Sequence, residues 1–459
     1  MKKLPRFLFS RIWLAAFGVA SLARGQTAPM EAVNQRLERL ERQNAELLEQ
    51  VRLLRQDLQE LKHAAPAPEE QRITALEEKV EVQAGRLNEQ DQVKVESAQR
   101  APVRLTGMAL FNAYANTRHG GAADNPVVAT ISAGPVNAGA TMRQSTIGLE
   151  FNGPEAVLGG KMRGYFMMDL FSGSGDPLNS QVRLRTAAIE GQWNSRGFLV
   201  GQEKPILAPR EPNSLAQVGV SPLTAAGNLW RWRPQVRFEQ RLSLGSGQEV
   251  RARIGVTETS EGAAAVPQQY SSTLESSRPA LEGHFQFTRH IDDQRRLEIA
   301  PGFHWSTTHV AGTSVPSRAF SMDWFFNPHR RFEFTGQLFT GQNLANLGGG
   351  GVRQGFTILP LGSGLLQVIP VRTRGGWAQF TFIATPRLSF NLYGGQDDPN
   401  NRDLLPTGIA KNLAYAANVF YRLAPNVVVG AEASQVRTQF MSGQRPLNNH
   451  YDLAVAYLF

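Results

Sequence analysis

From Val103 to Phe459 apolar and polar residues alternate with a period of two, in stretches of about ten residues separated by Gly, Pro, Asn and Asp. Successive side chains leave a strand on opposite sides, so this pattern belongs to strands that are wetted on one face only. Sixteen such stretches can be marked, from 103–116 to 450–459, and their connections alternate in length. Long ones (117–141, 172–180, 203–228, 259–278, 307–317, 341–371, 395–410, 438–449) take turns with short ones such as Asn327-Pro328-His329-Arg330, Thr385-Pro386 and Ala424-Pro425. Long loops on one rim and tight turns on the other are the layout of an outer-membrane barrel; an open sheet or a sandwich has no reason to keep it. The expected fold is an all-β transmembrane barrel of about 16 antiparallel strands over 103–459.

The strand faces agree. Leu297, Ile299, Phe303 and Trp305 share one face of 294–306 while Arg296, Glu298, His304 and Ser306 share the other; Phe320, Met322, Trp324 and Phe326 oppose Ser321 and Asp323 in 318–327. The mean hydropathy of −0.29 excludes a polytopic helical membrane protein but not strands of this kind, which meet lipid with every second residue. Tyr451, Leu453, Val455, Tyr457 and Phe459 alternate up to a terminal aromatic, and Tyr457 with Phe459 resembles the signal that the outer-membrane barrel assembly machinery reads. One stretch breaks phase: in 181–193, Ile189 and Glu190 conflict with Val182 and Leu184, which a bulge would explain.

Ahead of the barrel stand two other segments. Lys2, Lys3, Arg6 and Arg11 precede the apolar run 12–20, and Ala23-Arg24-Gly25 supplies small residues for cleavage, so 1–25 reads as a cleaved secretory signal. In 26–63, Val33, Leu37, Leu40, Asn44, Leu47, Val51, Leu54, Leu58 and Leu61 follow an unbroken heptad seam. With Leu37 at a, Arg36 faces Glu41, and Asp57 faces Lys62, between in-register parallel copies; Asn44 at a fixes the register. The segment is read as a parallel α-helical coiled coil in the periplasm. Residues 64–102 form a proline hinge and a weaker helical repeat.

The formal charge of +9 resembles a nucleic-acid signature until it is located. Five cations leave with the signal, residues 26–102 hold 11 basic and 15 acidic side chains, and the barrel holds 32 basic and 24 acidic. No nucleic-acid partner follows from that distribution. Within the barrel, Arg231, Arg233, Arg237 and Arg241 share one face of a strand, opposite Trp230, Trp232, Pro234, Val236, Phe238 and Leu242. Arg251 with Arg253, and Arg183 with Arg185, repeat the arrangement on nearby strands. An arginine facing lipid at mid-membrane costs about 2–4 kcal/mol, so all eight are expected to line the lumen as an anion-attracting ladder. Glu190, Glu239 and Glu258 could neutralise some of them. The third long connection, 203–228, carries Glu203, Lys204, Arg210 and Glu211 and is a candidate constriction loop, with an ordinary external loop as the alternative. The glycine run 348–351 is not a phosphate-binding loop and reads as part of a flexible surface loop.

Absence of Cys removes disulfides, thiolate metal sites and cysteine nucleophiles, and no residue pattern calls for a metal or another cofactor. A barrel enzyme would need a His with Ser or Asp; His284, His290 and His304 lie on adjacent strands without a nucleophile at a telling spacing, so no enzyme is expected.

Signal, heptads, hinge and arginine-rich barrel together resemble the DcaP-type trimeric outer-membrane porins. The local carrier is Arg233-Pro234-Gln235-Val236-Arg237, similar to that family's Pro-Gln-Ile/Val-Arg strand. The resemblance implies a homotrimer in the outer membrane, small anionic solutes such as dicarboxylates, and Arg233 and Arg237 as lumen ligands. Phosphate-selective porins are the nearest alternative. They are similar to a lysine-lined path, while this barrel has only Lys161, Lys204 and Lys411. An envelope tether formed by the heptad segment is a further alternative.

Overall fold

A computed structural model describes residues 103–459 apart from 122, 157–158, 174–179, 262–265, 267, 276 and 363–364, together with Glu49, Arg52 and Gln56. Those three are helical and exposed, and they fall at the outer f and b positions of the heptad frame. The signal and the seam residues Leu37, Leu40, Asn44, Leu47, Val51, Leu54, Leu58 and Leu61 lie outside the described residues.

The strands of the first half are β1 (Val103–Asn116), β2 (Asn137–Thr141), β3 (Thr146–Ala156), β4 (Gly160–Ser172), β5 (Gln181–Gln192), β6 (Arg196–Glu203), β7 (Arg233–Gly245), β8 (Gln248–Ser260) and β9 (Ser277–His290). Those of the second half are β10 (Arg296–Val310), β11 (Thr313–His329), β12 (Phe332–Gln342), β13 (Phe356–Gly362), β14 (Leu365–Pro370), β15 (Arg372–Thr385), β16 (Leu388–Pro399), β17 (Ile409–Ala424), β18 (Val427–Phe440) and β19 (Leu447–Leu458). Sixteen of them pair antiparallel with their neighbours in chain order, and β19 closes on β1 from Met108↔Leu458 to Asn116↔His450. Short β2 adds to the upper half of β1, and β13–β14 is a separate hairpin within the connection 343–371.

Alternation dictates which side of the wall each residue meets. Val182, Val236, Phe238, Trp305, Phe320, Leu338 and Leu453 are exposed on the outside, whereas Asn112, Glu282, Gln337, Asp323 and Asn412 are fully buried inside. A closed sheet leaves no backbone edge unpaired, so the apolar exterior can sit in hydrocarbon. On β19, Tyr451, Leu453, Val455 and Tyr457 face outward, Asp452, Ala454 and Ala456 are buried, and Phe459 just past the strand is exposed.

Three details depart from or refine the expectations from sequence. First, β4 and β5 pair Met167 with Thr186 but Met168 with Leu184, so Arg185 is the extra residue of a bulge, and beyond it Ile189 points out and Glu190 in. Second, the connection expected at 307–317 is a two-residue turn. Ala311 (φ 50°) and Gly312 (φ 73°) supply the left-handed pair that a tight hairpin needs, and β10 and β11 simply run higher. Third, Trp230 and Trp232 do not face lipid. The backbone N–H groups of Trp230 and Arg231 donate to the Leu347 carbonyl instead of a neighbouring strand, so β7 begins only at Arg233. Trp230 is buried and meets Trp232 edge-on at 5.0 Å.

The apolar core lies inside the barrel. Leu207, Ala208 and Leu229 pack on Ala319, Phe339, Leu344 and Leu347; Leu223 and Ala226 pack on Trp377, Tyr393, Ala414, Ala416 and Val436. Leu110, Ala454 and Ala456 receive Leu215 and Val218. Each fully buried Leu contributes about 1.5–3 kcal/mol, so the segment 204–232 is held inside by the same force that stabilises a soluble domain.

Candidate permeation site

The segment 204–232 leaves β6 and crosses the lumen, bonding to the wall in turn. Glu282 on β9 accepts the backbone N–H groups of Ile206 and Leu207 at 2.8 and 3.4 Å, and Ser321 on β11 donates to the Leu207 carbonyl at 2.8 Å. Arg210 pairs with Asp323 at 2.6 Å and with Glu298. Farther on, Gln379 accepts from the Asn213 N–H, Ser214 donates to Glu432, and Asn112 donates to the Leu215 carbonyl. Gln144 then clamps Ala216, Val218 and Gly219. Of the four polar residues singled out in this connection, Arg210 pins the segment to the wall, Lys204 and Glu211 brace it internally, and Glu203 belongs to β6. Glu203 accepts from Tyr165, and Lys204 meets Glu211 at 2.6 Å. Burial works against the Glu211 carboxylate, but the Lys204 ammonium and the Ser221 hydroxyl hold its pKa below the usual range. For Arg210, Asp323 and Glu298 outweigh burial and raise the pKa.

A second segment, 343–355, folds in against the first. The glycine run is therefore no flexible surface loop: Gly350 and Gly351 are buried, and a Cβ on Gly349 would lie 2.1 Å from the Asn228 carbonyl oxygen. Only glycine lets the two backbones approach this closely. Val352 is fixed by its N–H to Asp397 at 2.9 Å, and Asn346 donates to Glu261 at 3.1 Å.

The arginines divide into paired and unpaired groups. Arg183 takes Asp169 through two nitrogens, at 2.6 and 3.1 Å, and Arg185 lies 3.7 Å from the same carboxylate. Their guanidinium groups also lie over Trp232, at 5.3 and 4.6 Å from its ring centre. Arg237 is 3.7 Å from Glu190. Glu239 gathers Arg241 at 2.6 Å, Arg253 at 2.8 Å and Arg251 at 3.7 Å, with Glu249 also 3.8 Å from Arg251. Glu258, expected to neutralise part of the wall, instead accepts from Ser277, and only its backbone carbonyl receives Arg233. Thus six of the eight share Asp169, Glu190, Glu239 and Glu249, while Arg231 and Arg233 have no carboxylate partner among the described residues. Arg233 is buried, and its Nε and Nη2 have no hydrogen-bond acceptor among the described residues. The pKa of Arg231, in the connection before β7, is lowered by burial within the barrel and by the like charge of Arg353.

Sequence spacing does not reveal Asp169, the pinning carboxylates Glu282, Glu298, Asp323 and Glu432, or Arg353. One signal is available: Leu110, Phe339, Trp377, Ala414, Val436 and Ala456 occupy the inward phase, where a wet wall would hold polar residues. Apolar side chains there need an apolar segment to cover them.

The histidines also form a constellation. His304 Nδ1 lies 2.8 Å from Glu282 and its Nε2 lies 3.1 Å from Ser317, in the order of a hydrolase triad. Ser317 gives its proton to the Asn343 carbonyl, and Ser317, His304 and Glu282 are 0, 2 and 0 % exposed. His284 is likewise buried against Asp323 at 2.7 Å, and His290 is the exposed last residue of β9. These are structural hydrogen bonds behind the inward segment, out of reach of a substrate.

No protein-family model and no curated protein matches the chain. Among solved structures it is similar to the outer membrane channel DcaP of Acinetobacter baumannii, with a TM-score of 0.61 at 16% identity over 78% of this chain and 97% of that one. It is also similar to an anion-selective porin from Comamonas acidovorans, with a TM-score of 0.52 at 11% identity over 78% of this chain and 99% of that one. At such identities the likeness is one of fold. Sixteen antiparallel strands, an apolar exterior and a polar interior crossed by a folded segment make this chain a transmembrane β-barrel with the porin fold of the DcaP channel.

Proposed function

We propose that the protein is an outer-membrane porin for passive diffusion of small solutes, that it prefers anions, and that organic carboxylates are among its substrates. The observation that carries this reading is the surplus of positive charge on and beside the β5–β7–β8 wall, where six guanidinium groups share four carboxylates and Arg231 and Arg233 pair with none among the described residues. Within low-dielectric walls that surplus raises the local concentration of anions and repels cations. Guanidinium also matches carboxylate in a two-pronged geometry that a point charge lacks. A phosphate-selective path of lysines has no counterpart, since Lys204 is tied to Glu211, Lys411 is 3.6 Å from Asp398, and Lys161 is exposed. The heptad segment supports self-association, and a homotrimer fits the porin fold.

Reversal potential in a salt gradient across a planar bilayer tests the proposal. The sign should report anion preference, and substituting Arg231, Arg233 and Arg237 together by Ser should abolish it. Cation selectivity of the unmodified pore, or no conductance, sinks the reading.

A further inference from the structure

Between the two inward segments lies a cavity of about 340 Å³ that the wall arginines only partly account for. Arg183, Arg231 and Arg353 reach it, together with the single carboxylate of Glu261, and Trp230 and Phe356 supply aromatic lining. Arg183 is already satisfied by Asp169. Arg231 and Arg353 enter no ion pair among the described residues, and both are exposed to the interior space. The Trp230 indole N–H is buried without an acceptor among the described residues. Arg353 and Val352 hold left-handed backbone (φ 65° and 52°), which disfavours any side chain, yet the chain places Arg rather than Gly there. Gly351-to-Gln354 and Gly355-to-Val371 backbone bonds of 2.9 Å lock that conformation.

Two guanidinium groups without ion pairs, on different segments and beside aromatic surface, are complementary to a carboxylate head on an apolar body. Glu261, the one carboxylate in the lining, repels a second anionic head, and its oxygen already accepts from Thr308 at 3.0 Å and Asn346 at 3.1 Å. We propose that Arg231 and Arg353 form a binding site for apolar monocarboxylates at the joint of the two inward segments, and that this pair governs organic-anion selectivity more than the paired arginines do. The inference rests on the porin reading and narrows its substrate class. It departs from the dicarboxylate preference that the family resemblance implies.

The test uses the full-length pore in planar bilayers carrying chloride current, titrated with sodium benzoate or sodium succinate. Benzoate should reduce the current at lower concentration than succinate. The R231Q/R353Q double variant should raise the effective benzoate concentration at least about tenfold, the loss of one charge-assisted hydrogen bond. R353K keeps the charge without the fork, so it should retain the anion-to-cation permeability ratio while losing most of the benzoate effect. R330Q, at an exposed turn, is the charge-matched control and should behave as the unmodified pore. If the double variant does not form a heat-modifiable barrel, R353K carries the test alone. An anion-selective pore whose benzoate response changes less than twofold in these variants, or which succinate blocks at lower concentration, overturns this site and leaves the porin reading standing. A cation-selective or non-conducting pore overturns both.

Discussion

At the scale of single residues, the interior is organised by how few carboxylates serve how many arginines. Glu239 holds three guanidinium groups and Asp169 two, while Arg210 reverses the ratio by holding both Asp323 and Glu298. Removing a buried partner leaves the remaining charge unpaired, which costs more than the pair contributed. Arg210→Ala leaves Asp323 with only His284 and Glu298 with only Arg296, so it should destabilise the barrel by about 2 kcal/mol, the loss of a charge-assisted hydrogen bond, read as a lower temperature for loss of the compact form on a heat-modifiability gel. Arg295→Ala at the exposed Asp292 turn should change it by less than about 1 kcal/mol. Equal effects would mean that the inward segment does not depend on its ion pairs.

At the scale of elements, the strands are legible in the sequence and the inward segments are not, for a physical reason. A strand's burial repeats every second residue, so Val236 and Phe238 against Arg237 and Glu239 declare their faces locally. Even the bulge at Arg185 shows itself as a slip of phase. A segment that crosses a lumen has no period, and its partners lie far off in sequence, as Ser214 with Glu432 or Asn112 with Leu215. The tryptophans mislead for a related reason. Trp230 and Trp232 continue the alternation of β7, but the Leu347 carbonyl captures the backbone at Trp230 and Arg231 before a strand can start. The glycine run misleads because low complexity looks the same in a flexible loop as in a crowded joint. Gly349→Ala separates the two. A Cβ 2.1 Å from Asn228 must push the segments apart, so single-channel conductance and its fluctuation should change, while a flexible loop would tolerate the methyl group without effect.

At the scale of the molecule, the protein is a membrane barrel that also contains a core. Its outer surface meets hydrocarbon, and its apolar interior clusters pack segments 204–232 and 343–355 onto the wall. The order of strands is readable because every neighbour in the barrel is a neighbour in sequence, apart from the single closing pair β1–β19. The charge ledger of the wall is only half readable, since Asp169 stands on β4 opposite Arg183 of β5, and the spacing along one strand does not give its register with the next.

That double construction decides where foreign sequence can be placed. At the turn of Gly443 a methyl group in place of the α-hydrogen would find nothing within 4 Å, and the flanking residues are exposed, so there is room for an inserted peptide tag. Such an insertion should leave heat-modifiability and conductance intact and label the surface of whole cells. The same peptide placed after Gly219 or Gly349 would split a packed joint and should abolish the folded form. Connections that look alike in sequence, lacking strand and helix alike, thus differ in what they tolerate: the outer ones are open to engineering, and the two inner ones must be handled as core.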